Sequence, residues 1–176
     1  MQHVNVKIFA AQSDIDLVDA IAVFHHWIQD NVVPELLIDV ADYKHVPDGP
    51  GIMLIGHQAD YSLDETGGRL GLLYNRKVHV DGGPQAALGQ AFDSAVSAAR
   101  RLEAEPVFAG KLKFDDGDVE IIINDRFVAP NTDATWDALQ PEIARFFTTI
   151  YGEGKFTLER RGEPRDRFTV GVKRTA

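Results

Sequence analysis

Between residues 35 and 80 the chain gathers its densest set of chemically capable side chains: Asp42, His45, His57, Asp60, Tyr61, Asn75 and Arg76. A carboxylate beside an imidazole is the minimum for general acid–base chemistry, with the acid orienting the ring and the ring moving the proton. Imidazole, amide, carboxyl and phenol are also the few polar groups that orient a small molecule in an otherwise apolar pocket. There is no cysteine, so disulfides, thiolate metal sites, iron–sulfur clusters and Cys nucleophiles are excluded. No nucleophile motif or phosphate loop stands anywhere in the chain.

The elements that must position these groups are three apolar runs, ELLIDVADYKHV, IMLIGHQADYSL and RLGLLYNRKVHV, cut by PDGPG and DETGG. Pro and Gly at both breaks predict a three-strand antiparallel meander. Closing the first loop over Pro47–Pro50 sets Val46 opposite Gly51, and closing the second over Asp64–Gly68 sets Leu63 opposite Arg69. His57 then faces Val40 on one side and Asn75 on the other, with Asp42 and Lys77 on the diagonals. That face also carries Leu36, Ile38, Ile55, Ala59, Tyr61 and Leu73, which makes it the expected core side. The opposite face mixes Leu37, Tyr43, Leu54, Leu72 and Tyr74 with Asp39, Gln58, Asp60 and Arg76. That mixture suits an interface between subunits or a partly covered groove. A one-residue slip would exchange the two faces.

The same register argues against a metal centre, and none is expected. His45 and His57 fall on opposite faces, about 16 Å apart along the strands. His25 and His26 are helix neighbours that point about 100° apart and cannot share an ion. His26 with Asp30 reads as an exposed pair at i, i+4.

Elsewhere the periodicities are plain. Val4, Val6 and Ile8 alternate in a strand over residues 4–10. Ser13-Asp14-Ile15-Asp16 is a helix-start signature, followed by Leu17, Ile21, Phe24 and Ile28 as one helical stripe. Pro84 opens a second helix with the stripe Leu88, Ala91, Phe92, Ala95, Ala99 and Leu102. Residues 110–125 read as a hairpin turning at Asp115-Asp116-Gly117-Asp118. This resembles the start of a calcium loop but lacks its later ligands and closing Glu. Thr132 or Asn131 caps a third helix with Trp136, Leu139, Ile143, Phe146 and Ile150 on one side and Pro141 inside it. FTLER and RFTVGVK form a last hairpin. The sum is a single α+β domain of 176 residues, with a mainly antiparallel sheet of about eight strands and three helices. Residues 4–55 and 119–172 share the order strand, helix, hairpin, which suggests duplicated β-α-β-β units.

A net charge of −9 disfavours nucleic-acid partners, and no run approaches the roughly 18 apolar residues of a membrane span. The start of the chain lacks a secretory pattern, so a cytoplasmic location is expected. Asp14, Asp16, Asp19, Asp30, Glu35, Asp39, Asp42 and Asp48 stand against Lys44 alone in residues 13–50. The last twenty or so residues are basic instead, an asymmetry that orients partners or copies of the chain. Three readings follow. The first is a small-molecule-binding domain with a mostly apolar pocket between sheet and helix, contacted by His57, Asn75, Asp42 and Tyr61, its ligand or cofactor undetermined. The second is a structural or adaptor subunit that forms a homo-oligomer through Leu37, Tyr43, Leu54, Leu72 and Tyr74. The third is an enzyme using His57 as general base with Asp42 orienting it.

Overall fold

Alternation of Val4, Val6 and Ile8 with Asn5, Lys7 and Phe9 produces a strand, β1 (Val4–Ser13), whose faces are both buried over its first six residues. In the computed structural model, which describes residues 3–175, β1 lies between β5 (Gly71–Arg76) and β6 (Leu112–Ile123). Beyond β5 come β4 (Ala59–Asp64), β3 (Ile52–Gly56) and β2 (Leu37–Asp42); beyond β6 come β8 (Phe168–Arg174) and β7 (Phe156–Arg161). All eight strands form one antiparallel sheet in the order β2-β3-β4-β5-β1-β6-β8-β7. Three helices, α1 (Asp19–Asp30), α2 (Gly83–Ala104) and α3 (Asp133–Tyr151), complete the α+β architecture.

Residues paired across strands share a face. One such row runs Leu54, Tyr61, Tyr74, Val6, Ile121 and Val170, and the next runs Ile52, Leu63, Leu72, Ile8, Val119, Val172 and Leu158. These rows are the floor on which the helices pack. The α2 stripe Leu88, Ala91, Phe92, Ala95, Ala99 and Leu102 is buried as its spacing predicts, and α2 crosses β5, β1 and β6. Helix α1 covers β2 and β3, while α3 covers β7 and meets α2 through Phe92, Phe146 and Phe147. Thr132 is the α3 cap, its Oγ1 accepting the Thr135 N–H at 3.4 Å, and the helix runs on through Pro141. Its deepest residues are Ile143 and Phe147, whereas Ile150 is exposed. Ser13 still belongs to β1, and α1 begins later, with Asp16 Oδ1 accepting the Val18 N–H at 3.0 Å.

The strand count agrees with expectation, yet two strands lie elsewhere than the sequence suggested. The middle apolar run is broken at His57-Gln58, so that β3 and β4 form a hairpin with Leu54 opposite Tyr61 and Ile55 opposite Asp60. Residues 110–125 do not turn back. They form the single long strand β6, in which Val119 pairs with Ile8 but Phe114 pairs with Ala10, leaving Asp115–Asp118 as a bulge. Gly117 N–H donates to Asp115 Oδ1 at 2.9 Å, which is turn chemistry without reversal because β1 holds the strand on both sides. Strand, helix and hairpin therefore recur in β6-α3-β7-β8, whereas the first half has four strands after its helix. In each half the last strand returns to pair with the first, β5 with β1 and β8 with β6.

Both expected registers are displaced by an odd number of residues: Val40 pairs with Leu54 rather than His57, and Asn75 with Asp60 rather than His57. An odd slip exchanges faces. Leu54, Leu72 and Tyr74 consequently lie under the helices, while Ile55, Leu73 and Asn75 face the uncovered side. The first loop is longer than PDGPG, with the Tyr43 N–H already bonded to the Gly51 carbonyl at 2.8 Å. On the uncovered side Lys7 is only 2% exposed, and its Nζ donates to Asp64 Oδ1 at 2.6 Å and to the Thr66 carbonyl at 3.0 Å. The Arg69 guanidinium lies 3.8 Å over the Phe9 ring. Among the described residues no helix is long and apolar enough to cross a membrane.

Gly51 has φ +60°, and a Cβ there would collide with the Leu63 carbonyl oxygen; Gly67 has φ +77° with open space around it. Gly51→Ala should therefore cost clearly more than Gly67→Ala, for which about 1–2 kcal/mol of left-handed strain is expected. Urea denaturation of the two variants checks this, and equal losses would refute the packing argument.

Candidate functional site

The connection from α1 to β2 carries Pro34 and Glu35, and Glu35 is drawn beneath the helices although it bears a carboxylate. It is 7% exposed. Two phenols meet it: Tyr61 Oη donates to Glu35 Oε2 at 2.8 Å and Tyr74 Oη donates to Glu35 Oε1 at 3.0 Å. Strand pairing explains the convergence, because Tyr61 on β4 lies directly opposite Tyr74 on β5, and their rings meet edge to face at 5.1 Å. Arg76, two residues beyond Tyr74 and on the same face, brings Nη1 to 4.0 Å from Glu35 Oε1 and 3.4 Å from Tyr74 Oη.

Helix α2 supplies the far wall. Gln90 and Ser94 are one turn apart, and Gln90 Nε2 donates to Tyr74 Oη at 2.7 Å and to Ser94 Oγ at 3.0 Å. The Gln90 Oε1 atom is buried without a hydrogen-bond partner among the described residues. Over this network opens a cleft of about 420 Å³, lined by Pro34, Glu35, Gln58, Arg76, Gln90, Asp93 and Ser94. Two carboxylates thus share the cleft with one guanidinium. A cleft so equipped can accept hydrogen bonds from a ligand more readily than it can donate them.

Burial raises the Tyr61 hydroxyl far above its ordinary pKa, and the adjacent Glu35 charge adds to the effect. Burial raises Tyr74 as well, opposed in part by the bonds from Gln90 and Arg76. Both phenols therefore stay protonated as donors to Glu35, and the Arg76 guanidinium stands 4.0 Å away as its ion-pair partner.

The residues singled out from sequence are distributed differently. His57 sits exposed in the β3–β4 turn, its backbone N–H donating to the Leu36 carbonyl at 2.8 Å. Asp42 is exposed at the opposite end of β2, where Oδ1 accepts the Lys44 N–H at 2.9 Å. Asn75 is on the uncovered face, 3.5 Å from Asp60 Oδ2. Tyr61 alone of the four belongs to the cleft network. Since His57 and Asp42 lie at opposite ends of the β2–β3 pair, Asp42 does not orient the imidazole. Of the residues expected at an interface, Leu37, Leu54, Leu72 and Tyr74 are core residues under the helices. Tyr43 is partly exposed and stacks on His45. His26 and Asp30 form the exposed i, i+4 pair, 3.2 Å apart.

A second, more apolar cleft lies on the same face of the sheet, two strands from β5, at the end of β6. It encloses about 530 Å³ where the end of β6 meets the first turns of α3, with Ile123, Val128, Ala129, Pro130, Ala138 and Leu139 among its walls. No protein-family model and no curated protein matches the chain.

Sequence reasoning missed Glu35 and Gln90. The usable signal for Glu35 was an acid directly after Pro34 and before an apolar run, where a carboxylate must be buried or turned away. Gln90 carried no signal until α2 had been placed over β5.

A phenol with a raised pKa contributes stability that is complete below its unfolded value, about pH 10, and is lost as pH climbs through the raised folded value. Stability should accordingly fall above pH 10, and less steeply in Tyr61→Phe and Tyr74→Phe than in the parent. At neutral pH, Tyr61→Phe should cost about 2 kcal/mol, the worth of a hydrogen bond to a charged acceptor. Urea denaturation at pH 7, 9 and 11 reads both, and parallel alkaline slopes in all three proteins would contradict the assignment.

Proposed function

We propose that the protein is a small-molecule-binding domain, and that its ligand enters the cleft over Glu35 and presents hydrogen-bond donors, as an amine or guanidine does. One observation carries the reading: a buried carboxylate held by two tyrosine hydroxyls at 2.8 and 3.0 Å, with its nearest cation 4.0 Å away. A buried carboxylate is stable only with its lone pairs filled, and here part of that capacity is left toward a cleft. Asp93 at the wall supplies a further acceptor. The volume of about 420 Å³ lies within the range of ligand sites, roughly 300–1,000 Å³.

The division of labour follows from chemistry. Glu35 receives the positive or donor end of the ligand, Tyr61 and Tyr74 fix the carboxylate plane, and Gln90 and Ser94 read a neighbouring polar group. Arg76 screens Glu35 in the empty site and can pair with a carboxylate on an amino-acid-like ligand.

A thermal-shift screen of polyamines, basic amino acids and other amines tests the proposal. A binder present at about a hundredfold over its Kd adds about 2.7 kcal/mol, which raises Tm by roughly 5–10 °C for a chain of this size. Glu35→Gln should remove the response while the variant remains folded. If no donor-rich compound shifts Tm, or if Glu35→Gln responds as the parent does, the cleft is not the binding site.

A further inference from the structure

On the side of the sheet that no helix covers, a third cavity of about 630 Å³ is lined by Arg126, Arg161 and Arg167, with Thr66 and Gly67 contributing to its wall. Arg126 and Arg167 are each anchored from one end, and Arg161 is held at two nitrogens. Arg126 Nη1 donates to the Arg165 carbonyl at 3.0 Å, and Arg167 Nη1 donates to Asn124 Oδ1 at 3.2 Å. Arg161 Nη1 donates to Glu120 Oε1 at 2.6 Å, with Glu159 3.5 Å from its Nε. Among the described residues, the Nη2 nitrogen of all three has no hydrogen-bond acceptor, and Arg126 and Arg167 form no ion pair. The one carboxylate in the lining, Asp166, spends its Oδ2 on the Glu163 N–H at 2.8 Å. Gly171 makes the arrangement feasible: a Cβ there would stand 2.5–2.7 Å from the Arg161 guanidinium, which lies across the glycine.

We propose that this cradle binds the phosphate group of a small phosphate ester. Three planar donors, each with an Nη2 free of protein acceptors, match the several acceptor oxygens of a tetrahedral dianion, and guanidinium forks suit phosphate geometry. The cavity is far larger than phosphate itself, which leaves room for an organic part along the uncovered face. A polyanion is a poor candidate because the chain carries a net charge of −9. The site lies on the opposite side of the sheet from Glu35, so it stands or falls independently of the amine-binding cleft.

Isothermal titration with phenyl phosphate and with inorganic phosphate, against phenol as control, tests it. Phenyl phosphate should bind more tightly than inorganic phosphate, phenol should not bind, and Glu35→Gln should leave both affinities unchanged. Arg126→Ala and Arg167→Ala should each weaken binding about tenfold, the loss of one charge-assisted contact. Arg126 is exposed, so its variant carries the test should Arg167→Ala unfold. Absence of binding at millimolar phosphate ester, or an affinity unchanged in Arg126→Ala, would overturn the proposal. Binding confined to vesicles containing phosphatidylserine, with none to the soluble ester, would overturn it equally.

Discussion

The antiparallel pairing of β1 with β6 is the constraint on which the rest of the molecule depends. It joins the two halves of the chain into one sheet, and it puts β1 between two neighbours so that no edge of it meets water. Over its first six residues both faces are buried, so the side chains there must be apolar or paired. Val4, Val6 and Ile8 meet this demand beneath the helices, but Lys7 on the other face brings an ammonium group into the interior. A buried charge needs a partner, and Asp64 at the end of β4 provides it. Thr66 N–H and Oγ1 bond that same carboxylate, so one cation on the central strand fixes where the β4–β5 connection lies across the sheet.

The cleft follows from a related tension on the helix side. Hydrogen-bonded strands place two tyrosines opposite each other in the core, and a buried phenol requires an acceptor. Glu35 serves both hydroxyls, at the cost of its own hydration. The network is economical because each member satisfies another: Gln90 supports Tyr74, Ser94 supports Gln90, and Arg76 spans Tyr74 and the Val78 carbonyl. It ends at the buried Gln90 oxygen and at Glu35, whose side chain lines the cleft.

Much of this architecture could be read from residue spacing, and the reasons for failure are specific. Helix α2 was legible because its buried positions repeat at 3.6-residue spacing along an Ala-rich helix; six of the eight, Leu88, Ala91, Phe92, Ala95, Ala99 and Leu102, stand out from sequence. The β3–β4 turn was hidden because His57-Gln58 lacks the Gly or Asn that marks two-residue turns. The segment at Asp115–Asp118 misled in the opposite sense, since Asp and Gly favour a tight backbone bend whether it reverses a strand or only bulges it. Face assignment then failed as a consequence, for it inherits every error in register. Glu35 was concealed by its type, because an isolated acid beside a strand is most often solvated. Only the phenols brought opposite it by strand pairing reveal why it is buried.

Strand β2 forms one margin of the sheet, and there Leu37 pairs with Gly56 while Asp39 pairs with Ile55. Ile38 is thus an extra residue, 56% exposed and pushed out of the ladder. A protruding residue breaks the regular comb of backbone donors and acceptors that a foreign strand would need in order to dock. Asp39 and Asp42 add like charges along the same margin. Deleting Ile38 would restore an even ladder, and the sheet would then offer a template on which copies could grow into fibrils.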